Sequence, residues 1–351
     1  MSYKKTPIPA FYNPANASDY TFDPQIDQLV VEADAYRTAN AISRPAKDIR
    51  LLIIDAQKDF CFPPPLGRLY VAGRSGKGAM EDNNRLARFI YENMNNLKGI
   101  NVTLDTHGSH HIFFATFFVT TRGTAPGPYQ IIENKNGVIM SERDGALELN
   151  PLLPKWLCGG NTLWAKRQIL HYMDELAKVG KYKLYLWPSH CVIGTSGHAL
   201  AGVISEAVLF HAFVHGNEYA YETKGQNPWT ENYSVLSPEV LTRWDGQGLI
   251  AEKNESFIEQ LISADRLIIA GQAASHCVKS TIDNLLDEIV TIKQAPELAK
   301  KVYIMEDTMS AVVVPGGPDY TDDAQAALQK FAAAGMHVVK STTPMDQWPD
   351  F

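Results

Sequence analysis

Arg266-Leu267-Ile268-Ile269-Ala270-Gly271-Gln272-Ala273-Ala274-Ser275-His276-Cys277-Val278 joins an apolar run to the start of an amphipathic stretch. The run reads as a strand buried on both faces, and Ser275–Ile289 behind it carries helical spacing. A strand that turns directly into a helix is the repeating unit of an α/β fold. Cys277 sits in that turn. A thiol there lies beside the free N–H groups of a helix N-terminus, which lower its pKa and can hold an oxyanion. An isolated cysteine is more often a buried structural residue, so its company elsewhere in the chain decides.

Short apolar runs recur at Arg50–Ile54, Ile100–Leu104, Tyr182–Leu186, Lys301–Met305 and His337–Val339, with helical patterns at Asn84–Leu97 and Asp322–Ala334. This alternation predicts a parallel sheet covered by helices on both faces, with a ligand site beyond the carboxyl ends of its strands. From about 115 to 181 the rhythm breaks. The break opens on the turn-rich Thr121-Arg122-Gly123-Thr124-Ala125-Pro126-Gly127-Pro128 and later carries a helical pattern over Thr162–Val179. It reads as an insertion, a cap or an oligomer contact. Residues 1–48 read as an N-terminal extension with one helix around Pro24–Ala39, wrapped on the surface or reaching a neighbouring subunit. Residues 49–345 form the expected main domain.

The 351 residues have a hydrophobic fraction of 45%, a charged fraction of 20% and a net charge of −7. Lysine and arginine are scattered, which argues against a nucleic-acid partner. No apolar stretch approaches the roughly 20 residues of a membrane span, and Met1–Asn16 lacks the apolar core of a signal peptide. Four cysteines (Cys61, Cys158, Cys191 and Cys277) without an export signal suggest a reducing, cytoplasmic setting.

Several strand ends carry chemistry. The first apolar run ends at Asp55, where a carboxylate opens onto the site edge and can exchange a proton with Cys277; a turn-forming Asp is the bland alternative. No G-x-G-x-x-G follows it, which argues against a dinucleotide site. The next ends in Asp105-Thr106-His107-Gly108-Ser109-His110-His111. Residues two apart in extended chain share a face, so Asp105 and His107 can grip one ion, with His110 or His111 close by. His190, in Trp187-Pro188-Ser189-His190-Cys191, follows another strand and is either a satisfied structural histidine, the commoner case for one taken alone, or the third ligand that the pair lacks; Cys191 reads as structural. Lys224, in Glu222-Thr223-Lys224-Gly225, is a surface lysine by default, or else a partner of Asp55 and Cys277 that stabilises a thiolate.

Taken in order, these blocks resemble the isochorismatase-like cysteine hydrolases, and among them the nicotinamidases. The pattern is an Asp with Gln57 and Asp59-Phe60, then D-x-H with a following His, W-P-x-H-C-x-x-G-T-x-G, Lys-Gly, and A-x-x-x-C-V, spanning about residues 49–340. The resemblance implies a six-stranded parallel α/β fold and a triad of Asp55, Lys224 and Cys277. It implies a divalent metal on Asp105, His107 and His190, with His111 the fourth candidate because His111-Ile112-Phe113-Phe114-Ala115 matches the family's string; zinc is expected first, iron or manganese next. Phe60, Trp187 and Tyr233 would wall the substrate pocket, the N–H groups of Ala273 and Cys277 would form the oxyanion hole, and the Gln272–Ala273 bond would be cis. Ala274-Ser275 departs from the Thr-Asp common in nicotinamidases. The expected activity is hydrolysis of nicotinamide to nicotinic acid and ammonia by a cytoplasmic enzyme, acting as a monomer or homo-oligomer on a small-molecule amide. The alternatives are an amidase for another small amide or carbamoyl substrate, and a catalytically silent binding protein.

Overall fold

Strand β1 (Ile49–Ile54) lies at the centre of a six-stranded sheet whose pairings are all parallel. The computed structural model describes residues 5–179 and 182–351. To one side of β1 lie β2 (Gly99–Asp105) and then β8 (Ala220–Lys224); to the other lie β9 (Arg266–Gly271), β10 (Val302–Met305) and β11 (His337–Val339). Alternate residues point to opposite faces of a strand, and here both faces are apolar. Leu51, Ile53, Ile268 and Ala270 join one core; Leu52, Ile54, Leu267 and Ile269 join the other.

The first core is closed by α3 (Gly78–Glu92) and α6 (Gly202–His215), with α1 (Ile26–Ala39) outside α6. The second is closed by α7 (Glu255–Ser263), α8 (Cys277–Asp287) and α9 (Thr321–Ala333). The N-terminal segment wraps on the α3–α6 face: the Thr6 N–H donates to the Glu92 carbonyl at 2.9 Å and the Tyr36 hydroxyl to the Pro7 carbonyl at 2.5 Å. No helix among the described residues is long and apolar enough to cross a membrane.

One expected strand goes elsewhere. The apolar run Tyr182–Leu186 predicts a strand of the parallel sheet, but β7 (Leu184–Leu186) pairs antiparallel with β4 (Gln130–Lys135). It closes a second, five-stranded sheet with β3 (Phe118–Thr120), β5 (Val138–Ser141) and β6 (Gly145–Leu149). Helices α4 (Pro154–Cys158) and α5 (Thr162–Val179) connect β6 to β7, and a single turn, α2 (Lys58–Cys61), follows β1. The place in the parallel sheet belongs to β8, an edge strand with Tyr221 and other alternate residues exposed. A half-solvated edge has no continuous apolar run, so hydropathy overlooks it. The excursion leaves and returns at one point, since the Trp187 N–H donates to the Phe113 carbonyl at 2.9 Å. The sheet can therefore project without parting the two histidine blocks at its foot.

Where β9 meets β1, Gly271 has φ +112°, and a Cβ there would lie 2.0 Å from the Ile54 carbonyl oxygen. Gly271→Ala is expected to cost about 2–4 kcal/mol, read from denaturant unfolding, since it combines strain with backbone overlap. Unchanged stability would mean that the two strand ends need not approach so closely.

Candidate active site

Four adjacent strand ends, in the order β9, β1, β2, β8, deliver Cys277, Asp55, Asp105 and Lys224 to one place. Asp105 and Lys224 are register partners on neighbouring strands, so their side chains leave the sheet side by side. The Lys224 ammonium lies 2.9 Å from Asp105 Oδ1 and 3.0 Å from Asp55 Oδ2, donates to the Asn232 carbonyl at 2.9 Å, and stands 3.6 Å from Cys277 Sγ. All four side chains are buried.

Their environments separate the two carboxylates. Burial pushes the Asp55 carboxyl above the usual range, with Lys224 opposing and Asp105 reinforcing the rise. Burial also opposes ionisation of Asp105, but His107 and Lys224 together hold it well below that range. Two carboxyls driven apart in this way suit different roles, one exchanging a proton and one staying ionised. Lys224 is held above the ordinary range, since Asp105 and Asp55 outweigh its burial.

Cys277 opens α8, as the turn predicts, but its thiol is held up rather than down. Burial raises it, and Asp55, hydrogen-bonded to it, and Asp105 raise it further against the pull of Lys224. The resting sulfur is a thiol that a base must deprotonate. The peptide bond Gln272–Ala273 is cis, as the resemblance implies. No acceptor for the N–H of Ala273 or Cys277 is found among the described residues, and both residues line the pocket.

The carboxylate oxygen of Asp105 that does not face Lys224 faces two imidazoles. Its Oδ2 is 2.8 Å from His107 Nε2 and 3.4 Å from His190 Nε2. His107 Nδ1 faces the Gly225 carbonyl at 2.9 Å and His190 Nδ1 the Pro188 carbonyl at 2.8 Å. A carbonyl only accepts, so each Nδ1 carries a hydrogen, and each Nε2 is the ring atom left facing the Asp105 carboxylate. Two ring nitrogens and an anionic oxygen thus converge on one point. Asp105, His107 and His190 offer ligand atoms within 4.8 Å of one another, and their chemistry, one carboxylate and two imidazoles, fits a metal.

His111 stands beside this group rather than in it: its ring centroid is 5.0 Å from that of His107. It is buried, and burial, with His107 next, holds its pKa well below normal, so it stays neutral. His110 lies by Trp156, 6.3 Å between centroids. Gly225 explains the Lys-Gly pair, because a Cβ there would lie 2.4 Å from His107 Cε1. Gly225→Ala is therefore expected to lower metal content while the fold survives. Chelation of the wild type should lower Tm, and zinc should restore it at about one ion per chain. A chelated protein with unchanged Tm and no zinc uptake would show that the group holds no metal.

Phe60, Trp187 and Tyr233 all line the same pocket as Cys277, and the Trp187 indole N–H donates to the Tyr233 hydroxyl at 2.8 Å. Sequence reasoning gave no role to three other groups. Thr103 donates to Asp55 Oδ1 at 2.5 Å and shares a strand face with Asp105. Gln57, quoted only as part of the pattern, brackets the Asp105 backbone, accepting from its N–H at 2.7 Å and donating to its carbonyl at 2.8 Å. Glu231 is buried in the pocket wall beside Lys224, two residues before Tyr233, with no local signal to mark it.

No protein-family model matches the sequence, and no curated protein matches it. Among solved structures, it is similar to the yeast nicotinamidase bound to the inhibitor nicotinaldehyde, at 20% identity and a TM-score of 0.48, over 83% of this chain and 99% of that one. The L. infantum PnC1 complex with nicotinate is similar at 20% identity and TM-score 0.44, over 86% and 96% of the two chains. The zinc complex of Pyrococcus horikoshii pyrazinamidase is similar at 17% and 0.43, over 84% and 99%. Likenesses of this size leave the site to be read from its own geometry.

Proposed function

We propose that the protein is a cysteine amidohydrolase of the nicotinamidase type, converting nicotinamide to nicotinic acid and ammonia. The observation that carries this is the meeting of Cys277, Asp55 and Lys224 with the Asp105–His107–His190 group around one pocket walled by Phe60, Trp187 and Tyr233.

In the proposed reaction Asp55, with its raised proton affinity, takes the proton of the Cys277 thiol. The thiolate attacks the amide carbonyl, and the oxyanion is held by the N–H groups of Ala273 and Cys277, worth about 3–4 kcal/mol per donor. Lys224 balances the charge on Asp55 throughout. Collapse of the tetrahedral intermediate breaks the C–N bond, Asp55 gives its proton to the leaving nitrogen, and ammonia departs. Water then attacks the thioester, again with Asp55 as base, releasing the acid and restoring the thiol. Covalent catalysis of this kind divides one difficult step into two. The proposed ion on Asp105, His107 and His190 is zinc, with iron or manganese as alternatives, and when bound it supplies a point of attachment that orients the substrate's ring nitrogen. His111 is the proposed fourth group beside it.

The same reading takes residues 49–345 as the hydrolase domain, about 115–181 as its insertion, residues 1–48 as an extension, and the cytoplasm as the place of action on a small-molecule amide, with self-association open to test. Purified protein incubated with nicotinamide is expected to release ammonia and nicotinic acid in equal amounts. Turnover of a carbamoyl or other small amide alone would move the assignment to a related amidase. No turnover of any amide would leave a silent binding protein.

A further inference from the structure

Behind the wall of the catalytic pocket lies a second cavity of about 520 Å³, against about 30 Å³ for the pocket by the same measure. Trp187, Tyr233 and His276 line both, so a single layer of rings separates them. The outer wall comes from the antiparallel sheet, through Ile131 and Tyr185, and from α8 and α9.

This cavity holds chemistry that the hydrolysis leaves unused. Lys279 and Lys330 lie 2.7 and 2.6 Å from the same residue, Asp283, so two ammonium groups share one carboxylate. Lys183 and Asp323 line the same cavity, and Lys183 is ion-paired with Glu133 at 2.5 Å. The rings of Tyr185, Trp187 and Tyr320 line the same cavity, the last edge-on to His276 with centroids 4.9 Å apart. His276 is neutral, burial holding its pKa down to about 4, and so adds no charge of its own. Aromatic rings beside two ammonium groups that share one carboxylate suit a flat ring that carries a negative charge.

The geometry points to a second binding site in this cavity for a small aromatic carboxylate, the class of molecule that hydrolysis of an aromatic amide leaves behind. The source of that ligand rests on the proposed hydrolysis. A neutral amide gains little from the lysines, whereas the acid formed on the other side of the ring layer gains a charge-assisted contact. Acid held there inhibits without displacing amide from the catalytic pocket.

Nicotinate is the probe. In a Cys277→Ala background, followed by tryptophan fluorescence, Lys279→Gln with Lys330→Gln is expected to weaken its binding about fivefold, as loss of partly exposed charge contacts does. Asp283→Asn, which frees both lysines, should tighten it. The neutral pyridine-3-methanol should bind alike in all of these proteins. In the active chain, the lysine pair change should relieve inhibition by nicotinate and leave KM for nicotinamide unaltered. Nicotinate inhibition that is purely competitive and indifferent to all three residues overturns the site, as does an equal loss of pyridine-3-methanol binding. Lysine-dependent nicotinate binding in a chain with no amide turnover would keep the site and remove the hydrolase reading; turnover with lysine-independent binding would do the reverse.

Discussion

Cys277→Ala is expected to remove amide hydrolysis to background, a loss of roughly 10⁴- to 10⁶-fold, as when the nucleophile of a catalytic triad is deleted. Metal content and Tm should stay at wild-type values. Among the described residues that line the pocket, Cys277 carries the only thiol. It contributes little to the fold beyond a small buried contact, and it is absent from the metal-binding group. Parallel measurements of ammonia and nicotinic acid, with metal analysis on the same samples, separate these effects. Ammonia release at the wild-type rate from the variant would end the thioester mechanism.

Lys224→Met is expected to damage both activity and stability. Its ammonium lies between two buried carboxylates, at 3.0 Å from Asp55 and 2.9 Å from Asp105. Removing one partner of a buried charge network leaves uncompensated charge and costs about 3–5 kcal/mol. The pH dependence should reverse. In the wild type, Asp105 is held below its unfolded value, so its contribution is present above the ordinary carboxylate range and lost as pH falls through its folded pKa. Without Lys224, Asp55, already raised by burial, rises further. A raised folded pKa stabilises below the unfolded value and loses that contribution as pH increases, so the variant should be relatively more stable near pH 5 than near pH 8. Adding Asp55→Asn should recover part of the loss by removing one of the stranded charges. Denaturant titrations at the two pH values check both claims, and a Lys224→Met protein as stable as wild type at pH 8 would show that the carboxylates do not depend on the lysine.

Most of the candidate site was legible because its residues sit at strand ends. Asp55, Asp105 and Cys277 each follow an apolar run that hydropathy identifies, and a parallel sheet places such ends at one edge. Lys224 was legible through its neighbour Gly225 and the family resemblance, although its strand, Ala220–Lys224, was not read as part of the sheet. Thr103 and Glu231 were passed over because nothing local distinguishes a hydroxyl or a carboxylate that will face a pocket from one that faces water. The direction in which the Cys277 thiol is shifted was hidden for a related reason. The helix N-terminus is visible in sequence, whereas burial and the approach of Asp55 and Asp105 are not.

The amino-acid order alone determined the alternating strands and helices, the turn that presents the sulfur, and the pairing of Asp105 with His107 on one strand face. These depend on backbone periodicity over a few residues. Tertiary structure alone decided that Leu184–Leu186 joins the antiparallel sheet while Ala220–Lys224 takes the parallel edge, that His111 stands beside the Asp105–His107–His190 group, and which carboxyl is pushed above the usual range and which below it. Strand partnership is a hydrogen-bonding choice between distant segments, and a pKa sums burial with every charge nearby. Both are set only when the whole chain has closed around the site.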